Sequence, residues 1–378
     1  MKSITSHQTN EEKAEKELLV ASQWQLIRWK FFRHKVARAS LGVLCLLYLS
    51  VIFAGFLGPY NPWHYDKNYV YCPPQKLRFK DGAGRFHLRP FVYGVERHFD
   101  EKSLLVTYSV DKTRKYLVRF FVRGDTYKFW GMFNCNIHFF GVVEEGATIF
   151  LFGTDIMGRD LLSRILQGGR ISLSIGLMGV ATSFLLGILI GGISGYFGGT
   201  VDLLIQRIIE FIKSVPTLPL WMALSIALPP QWPIVKVYFA IVFILSLVGW
   251  TGLARVVRGK FMSLREEDFV MIAKLQGASE LRIVFKYLLP SFVSHIIAAL
   301  TLSIPGMILG ETALSFIGLG MQPPALSWGV LLKEAQSIMV LAHHPWLFIP
   351  GVLVCITVLS FNFVGDGLRD AADPYATI

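Results

Sequence analysis

Charge is scarce in this chain of 378 residues: Asp, Glu, Lys and Arg together make up 17%, against 53% hydrophobic residues. That balance excludes an ordinary soluble domain and points to a membrane protein. Cysteine is scarce too. There are four, Cys45, Cys72, Cys135 and Cys355, and neither their number nor their spacing suggests a metal site. The chain also lacks a Gly-xxxx-Gly-Lys-Ser/Thr phosphate loop, so it has no usual cradle for ATP. It has no nucleophile elbow, no paired catalytic His/Asp constellation and no metal-binding His spacing, which argues against an enzyme. The formal charge of +11 is not a nucleic-acid signature, because the basic residues stand beside apolar spans rather than along one continuous face.

What is present is a series of apolar runs. Residues 1–40 begin polar, and from Leu18 to Ala39 mix Trp24, Trp29, Phe31 and Phe32 with Arg28, Lys30, Arg33, Lys35 and Arg38. Such a basic, aromatic helix suits the membrane interface, or else is a plain positive flank for the first span. No cleaved signal peptide is expected, because the first long apolar run starts about forty residues in and is long enough to remain as an anchor. Residues 41–57 form that first span, ended by Gly58, Pro59, Asn61 and Pro62. Residues 58–151 contain nothing able to cross a bilayer and read as a small β-rich insert. Within it, strands are expected over Ser103–Val110 and Arg114–Val122, joined by a tight turn at Asp111-Lys112-Thr113. If the insert is extracytoplasmic, a Cys72–Cys135 disulfide is one reading and two buried thiols the other.

Residues 152–378 carry five further spans, giving about six in all. The second, within Ile171–Val201, holds Gly187, Gly191, Gly192 and Gly195 at spacings that favour close helix packing. A third, reaching about Leu228 and made irregular by Pro216 and Pro219, begins among Asp202, Arg207, Glu210 and Lys213, with Glu210 and Lys213 placed to pair. Val237–Ala254, Ser291–Gly310 and His344–Phe363 are the fourth to sixth, and the segment Leu314–Trp328 reads as an outer loop or re-entrant cap. Glu210 and Glu311, the latter at the edge of the fifth span, are candidates for the solute path or gate, and Glu311 equally for a structural pairing.

Two polar segments interrupt these runs. The first, within 255–290, opens with Ser263 and Glu266 as a capping-box pattern, with Glu266, Glu267 and Asp268 acidic in the first turn. Phe269, Ile272 and Ala273 then fall on one helical face, followed by Leu275. Gly277 stops that helix, Ser279 caps a second with Leu281, Val284, Phe285 and Leu288 on one face, and Pro290 closes it. An amphipathic loop lying on lipid is the plain alternative. The other segment is Gly153-Thr154-Asp155-Ile156-Met157-Gly158-Arg159-Asp160, running on to Arg164 and Arg170, where Asp155, Arg159 and Asp160 read more readily as a structural brace than as substrate contacts.

Gly277, Leu289 and Pro290 resemble the coupling loop of binding-protein-dependent ABC importer permeases, whose consensus is Glu-Ala-Ala, three residues, Gly, nine residues, Ile, one residue, Leu-Pro. Met271, Ile272 and Tyr287 depart from it, and Ala273 keeps it. The Gly153 segment closely resembles the entry motif of the dipeptide/oligopeptide branch, covering Gly153, Thr154, Asp155, Gly158, Arg159, Asp160 and Arg170. The resemblance covers most of residues 18–57 and 150–378, and the insert is a departure from it. It implies an α-helical polytopic membrane protein resembling an ABC type I importer permease, in the bacterial inner membrane. Implied partners are a second homologous permease, two cytoplasmic ATPases that hold ATP and Mg, and an extracytoplasmic solute-binding protein, with no cofactor on this chain. Short peptides are the leading solute, and nickel chelates, opines or oligosaccharides travel through similar permeases. A self-sufficient secondary transporter is the alternative, though no inverted repeat or buried ion relay is visible. The short-loop bias of Arg and Lys places both termini inside, the 255–290 loop in the cytosol, and the insert and entry motif outside.

Overall fold

The computed structural model describes residues 22–82, 84–100, 105–129, 131–144 and 146–373. The expected polar start at Met1–Glu17, the beginning of the interfacial segment and the first residues of the Ser103 strand lie outside these.

Helix α1, Gln23–Arg33, starts at a reciprocal capping box in which the Gln25 amide donates to Ser22 Oγ and the Ser22 amide to Gln25 Oε1. The chain then turns at His34, whose Nδ1 accepts from the Ala37 amide and caps α2, Lys35–Ile52. One basic-aromatic stretch therefore becomes two helices, the second entering the first span six residues earlier than residue 41. A further turn, α3 (Ala54–Leu57), completes that span.

The insert follows. Strands β1 (Arg78–Lys80), β2 (Phe86–Asp100) and β3 (Leu105–Leu117) form an antiparallel sheet in that order, and β4 (Arg119–Phe129) pairs with β5 (Phe133–Gly141) in a separate ribbon. The expected turn at Asp111-Lys112-Thr113 is absent. Instead β3 runs straight through it, with the pairing stepping from Gly94↔Asp111 to Tyr93↔Lys115. Asp111 Oδ1 accepts from the Thr113 amide, so the turn chemistry is spent on a bulge within one strand. Both Cys72 and Cys135 are free thiols, which corrects the disulfide reading. Cys72 is buried in the stem of the insert beside Thr154, whereas Cys135 lies on β5 opposite Tyr127.

The membrane part has five helices long and apolar enough to cross a bilayer among the described residues, and six if one bent pair is taken as a single span. They are α2, α4 (Leu161–Phe197), α7 (Ile234–Leu264), α9 (Val293–Ile317) and α11 (Ile349–Ala372). The bent pair is α5 (Gly199–Ser214) with α6 (Thr217–Ile226), at 83°. Pro216 lies at the break and cannot donate there, which is why the expected third span is not one rod. Within α5, Glu210 pairs with Arg207 at 2.7 Å rather than with Lys213.

Helix α4 has 37 residues, about 55 Å at 1.5 Å per residue, well beyond a hydrocarbon core of roughly 30 Å. Its far half packs on α7 through small residues: a methyl on Gly195 would stand 2.6 Å from the Arg258 carbonyl, and one on Gly191 would strike the Ala254 backbone. Backbone approach of this kind is how helices associate where lipid offers no hydrophobic drive. Where the two helices meet α5, Arg258 donates from Nε and Nη2 to the two carboxylate oxygens of Asp202, each at 2.5 Å.

Candidate functional site

The polar segment between α7 and α9 does not begin at Ser263. Helix α7 continues to Leu264, with Phe261 fully buried, so packing of the long helix overrides the local capping signal. Arg265 pairs with Glu266 at 3.3 Å, and helix α8, Asp268–Leu275, starts after Glu267 with no side-chain cap. Its end is built as the sequence reads. Gly277 has φ +75°, its amide donates to the Lys274 carbonyl, and the Ala278 amide donates to the Ala273 carbonyl, a left-handed glycine stop.

Two faces of α8 differ sharply. Val270 and Ala273 are buried in a cluster with Ile188 of α4, Leu253, Val257 and Phe261 of α7, and Ile296 of α9. Lys274 lies 5.6 Å above the Tyr196 ring and Arg265 donates to the Tyr196 carbonyl at 3.4 Å, fastening the segment to the end of α4. Ala273 thus belongs to the inward face, not to a stripe with Phe269 and Ile272. The outward face is Phe269, Met271, Ile272 and Leu275, the last 88% exposed. Leu281 and Phe285, also exposed, border a groove along α4 with Leu189 and Ile193.

The expected second helix is irregular. Glu280–Arg282 is one helical turn, Ile283–Leu288 widens to π geometry, and Leu289–Ser291 leads to a break at Phe292 before α9. Pro290 supplies no backbone donor in this stretch. Its buried residues are Ile283 and Leu288.

At the opposite end of the spans, the Gly153 segment is a tight polar knot. Gly153 and Gly158 adopt φ of +76° and +74°, and a methyl on Gly158 would strike the Asp66 carbonyl. Asp155 Oδ1 accepts from the amides of Met157 and Arg159, and Oδ2 accepts from Arg159 Nε at 2.7 Å and pairs with Arg164 Nε at 3.1 Å. Asp160 does not join this pairing. It caps α4, accepting from the Ser163 amide at 2.8 Å, and burial pushes its carboxyl up to about 6. Thr154 Oγ1 accepts from the Cys72 amide at 2.7 Å, and its carbonyl accepts from Trp346 Nε1 at 3.0 Å. Arg170 donates to the Val51 and Ile52 carbonyls, closing the end of α2. The knot binds the insert stem, the first span, α4 and the approach to α11.

Glu334, unremarked in the sequence, is the other acid here, 3.5 Å from Arg159 and 4.0 Å from Arg164. Burial first, then the Asp155 charge, pushes its carboxyl up to about 7 against the pull of the two arginines. A carboxyl raised by folding binds its proton more tightly in the folded state, so its contribution to stability is full below about 4.5 and is lost as pH rises towards 7. The thermal midpoint of the protein in lipid nanodiscs is therefore expected to fall more from pH 5 to pH 8 than that of Glu334→Gln. Equal slopes would place the titration elsewhere.

Glu311 lies inside α9, which continues to Ile317, and is fully buried. Oε2 accepts from Ser172 Oγ at 3.2 Å and Oε1 from Ser315 Oγ at 2.7 Å; Ser172 Oγ in turn accepts from the Trp328 amide. It joins α4, α9 and the short helix α10, Trp328–Leu332, which packs fully buried against them. Glu210 is half-exposed on α5, paired as above. The two candidates for a path or gate are not brought together.

A polytopic helical bundle with a braced polar knot at one end of its spans and an apolar helix presented at the other suits the membrane component of a transport system. Residues 187–377 match the family of the binding-protein-dependent transport system inner membrane component, and residues 22–74 match the N-terminal TM domain of oligopeptide transport permease C. The chain belongs to the binding-protein-dependent transport system inner membrane component family. It is 39% identical over 223 residues, 59% of this chain and 68% of the relative, to the dipeptide transport system permease protein DppC of Bacillus subtilis (strain 168). It is 42% identical over 224 residues, 59% of this chain and 70% of the relative, to the oligopeptide transport system permease protein OppC of Haemophilus influenzae. Among solved structures, an inward-facing MetNI methionine ABC transporter covers 55% of this chain and 96% of its own at 18% identity, TM-score 0.43.

Proposed function

We propose that this chain is one of two related permease subunits of an ATP-driven importer of short peptides, working by alternating access. Its partners in that reading are a second permease, two cytoplasmic ATPase subunits carrying ATP and Mg, and an extracytoplasmic solute-binding protein. The chain itself catalyses no reaction and holds no nucleotide or metal. It sits in the bacterial inner membrane with both termini and α8 in the cytosol, the insert outside.

One observation carries this: α8 is rooted by Val270 and Ala273 in a cluster shared by three spans while Phe269, Ile272 and Leu275 face outward. An apolar face on a short helix is what a groove in a partner takes up, and its rooting lets a push on α8 tilt α4, α7 and α9 together. Peptides as solute rest on the names of the relatives above.

The test is uptake of a labelled oligopeptide by proteoliposomes holding both permeases, both ATPases and the binding protein. Deleting residues 266–275 is expected to abolish ATP-dependent uptake while leaving the chain in the membrane; unchanged uptake refutes the coupling role. In a background lacking Cys45, Cys135 and Cys355, a Gln276→Cys variant is expected to react with an impermeant maleimide in inside-out vesicles and not in intact cells. Labelling from outside would reverse the topology.

A further inference from the structure

The β4–β5 ribbon is out of keeping with its surroundings. Two strands alone are marginal in water, and this pair leaves Phe120, Phe121, Met132, Phe133 and Phe139 exposed, Met132 at 69% and Phe133 at 66%. A surface of that kind on a soluble module marks something that covers it.

Its place against the first span says what. The Phe121 and Phe139 rings lie 6.1 and 5.7 Å from Phe56, the Tyr127 ring covers Gly55, and the Phe129 ring lies 5.9 Å from Phe53. Moving from Phe56 to Phe53 goes back down the span by three residues, about 4.5 Å at 1.5 Å per residue. Between these contacts the strands run about 20 Å while the span advances only about 4.5 Å, so the ribbon lies largely across the end of the span, with Met132 and Phe133 at its tip. Below Phe53 the same helix exposes Leu46, Leu49 and Ile52. The ribbon's exposed aromatics thus sit at the end of an exposed apolar course long enough to cross a bilayer.

Its charges fit one environment. Arg119, Arg123 and Lys128 are exposed on β4, against Asp125, whose carboxylate accepts from the Asn61 amide. Cations interleaved with aromatics suit the layer where lipid phosphates meet the acyl chains. A two-stranded ribbon has unpaired N–H and C=O groups along both edges, which keeps it out of the hydrocarbon proper.

We propose that the β4–β5 ribbon is a membrane anchor lying in the phospholipid head-group layer at the end of the first span, with Phe120, Met132 and Phe133 directed to the acyl boundary and Arg119, Arg123 and Lys128 to lipid phosphates. This holds on whichever side of the membrane that end of the span lies, and it stands apart from the transport reading.

Spin labels test it in the assembled transporter, reconstituted into phosphatidylcholine–phosphatidylglycerol vesicles. Phe120→Cys, Phe133→Cys and, as a reference on the β3 bulge, Lys112→Cys are labelled in a background lacking Cys45, Cys135 and Cys355. At 120 and 133, collisions with oxygen are expected to exceed those with a water-soluble nickel chelate several-fold, and at 112 the order is reversed. Nickel-dominated collisions at 120 and 133 would overturn the anchor. So would labels shielded from both reagents in the complex but opened to nickel when the partner subunits are absent, since that pattern is a protein interface. Uptake of peptide by the same vesicles reports transport separately, so failure of one does not decide the other.

Discussion

The double variant Ile272→Asp, Leu275→Asp is expected to lose ATP-dependent uptake almost completely and to release the ATPase subunits on purification. Both side chains lie on the outward face of α8, 53% and 88% exposed, so neither is needed by the chain's own core. Surface changes away from buried features usually move stability by no more than about 0.5 kcal/mol. Apolar anchors at the centre of an interface, in contrast, commonly cost about 2 kcal/mol or more each when removed, a factor of about 30 in affinity. A carboxylate forced into an apolar groove costs more still, because it must be desolvated without a partner. Val270→Asp is the contrasting change: Val270 is fully buried among α4, α7 and α9, so that variant is expected to damage the fold itself. Uptake and co-purification read together with thermal stability separate the two. If the double variant unfolds, the face belongs to the fold; if it transports normally, α8 is not what the ATPases hold.

The membrane spans and the glycine stop of α8 were legible because each depends on a local cause. Twenty or so apolar residues must cross the bilayer, and Gly277 alone in its neighbourhood takes a positive φ without strain. Ser263 and Asp111-Lys112-Thr113 misled for one shared reason. Each is a correct local signal overruled by an element already under way: α7, whose Phe261 is buried, and β3, which is held along its length by β2. Bending of α5 and α6 at Pro216 was half visible, since a proline announces a break but not its angle. The partners of the entry motif were not visible at all. Glu334 lies some 180 positions from Asp155, and nothing near it in the chain says which arginines it meets; the bidentate hold of Arg258 on Asp202 is likewise a product of the Gly191 and Gly195 packing that brings α4 to α7.

Asp155→Ala is expected to be the most damaging single change outside the hydrophobic core. The Asp155 side chain is 1% exposed and that of Arg164 3%, and among the described ion pairs Arg164 has only Glu334 besides, at 4.0 Å. Removing one partner of a buried pair leaves the other charge uncompensated, at roughly 3–5 kcal/mol. The amides of Met157 and Arg159 lose their acceptor as well, and with them the turn that sets the start of α4. At about 2–4 °C per kcal/mol for a chain of this order of size, a fall of roughly 10 °C in the thermal midpoint follows. Because most of that loss is the stranded arginine, the double variant Asp155→Ala, Arg164→Met is expected to be more stable than Asp155→Ala alone, since Met keeps much of the Arg stem's packing. Arg159, its side chain 15% exposed, keeps Glu334 as a partner in both variants. A double variant no better than the single one would mean that the turn amides, not the Arg164 pair, carry the stabilisation, and the entry motif would then be a backbone device rather than an electrostatic one.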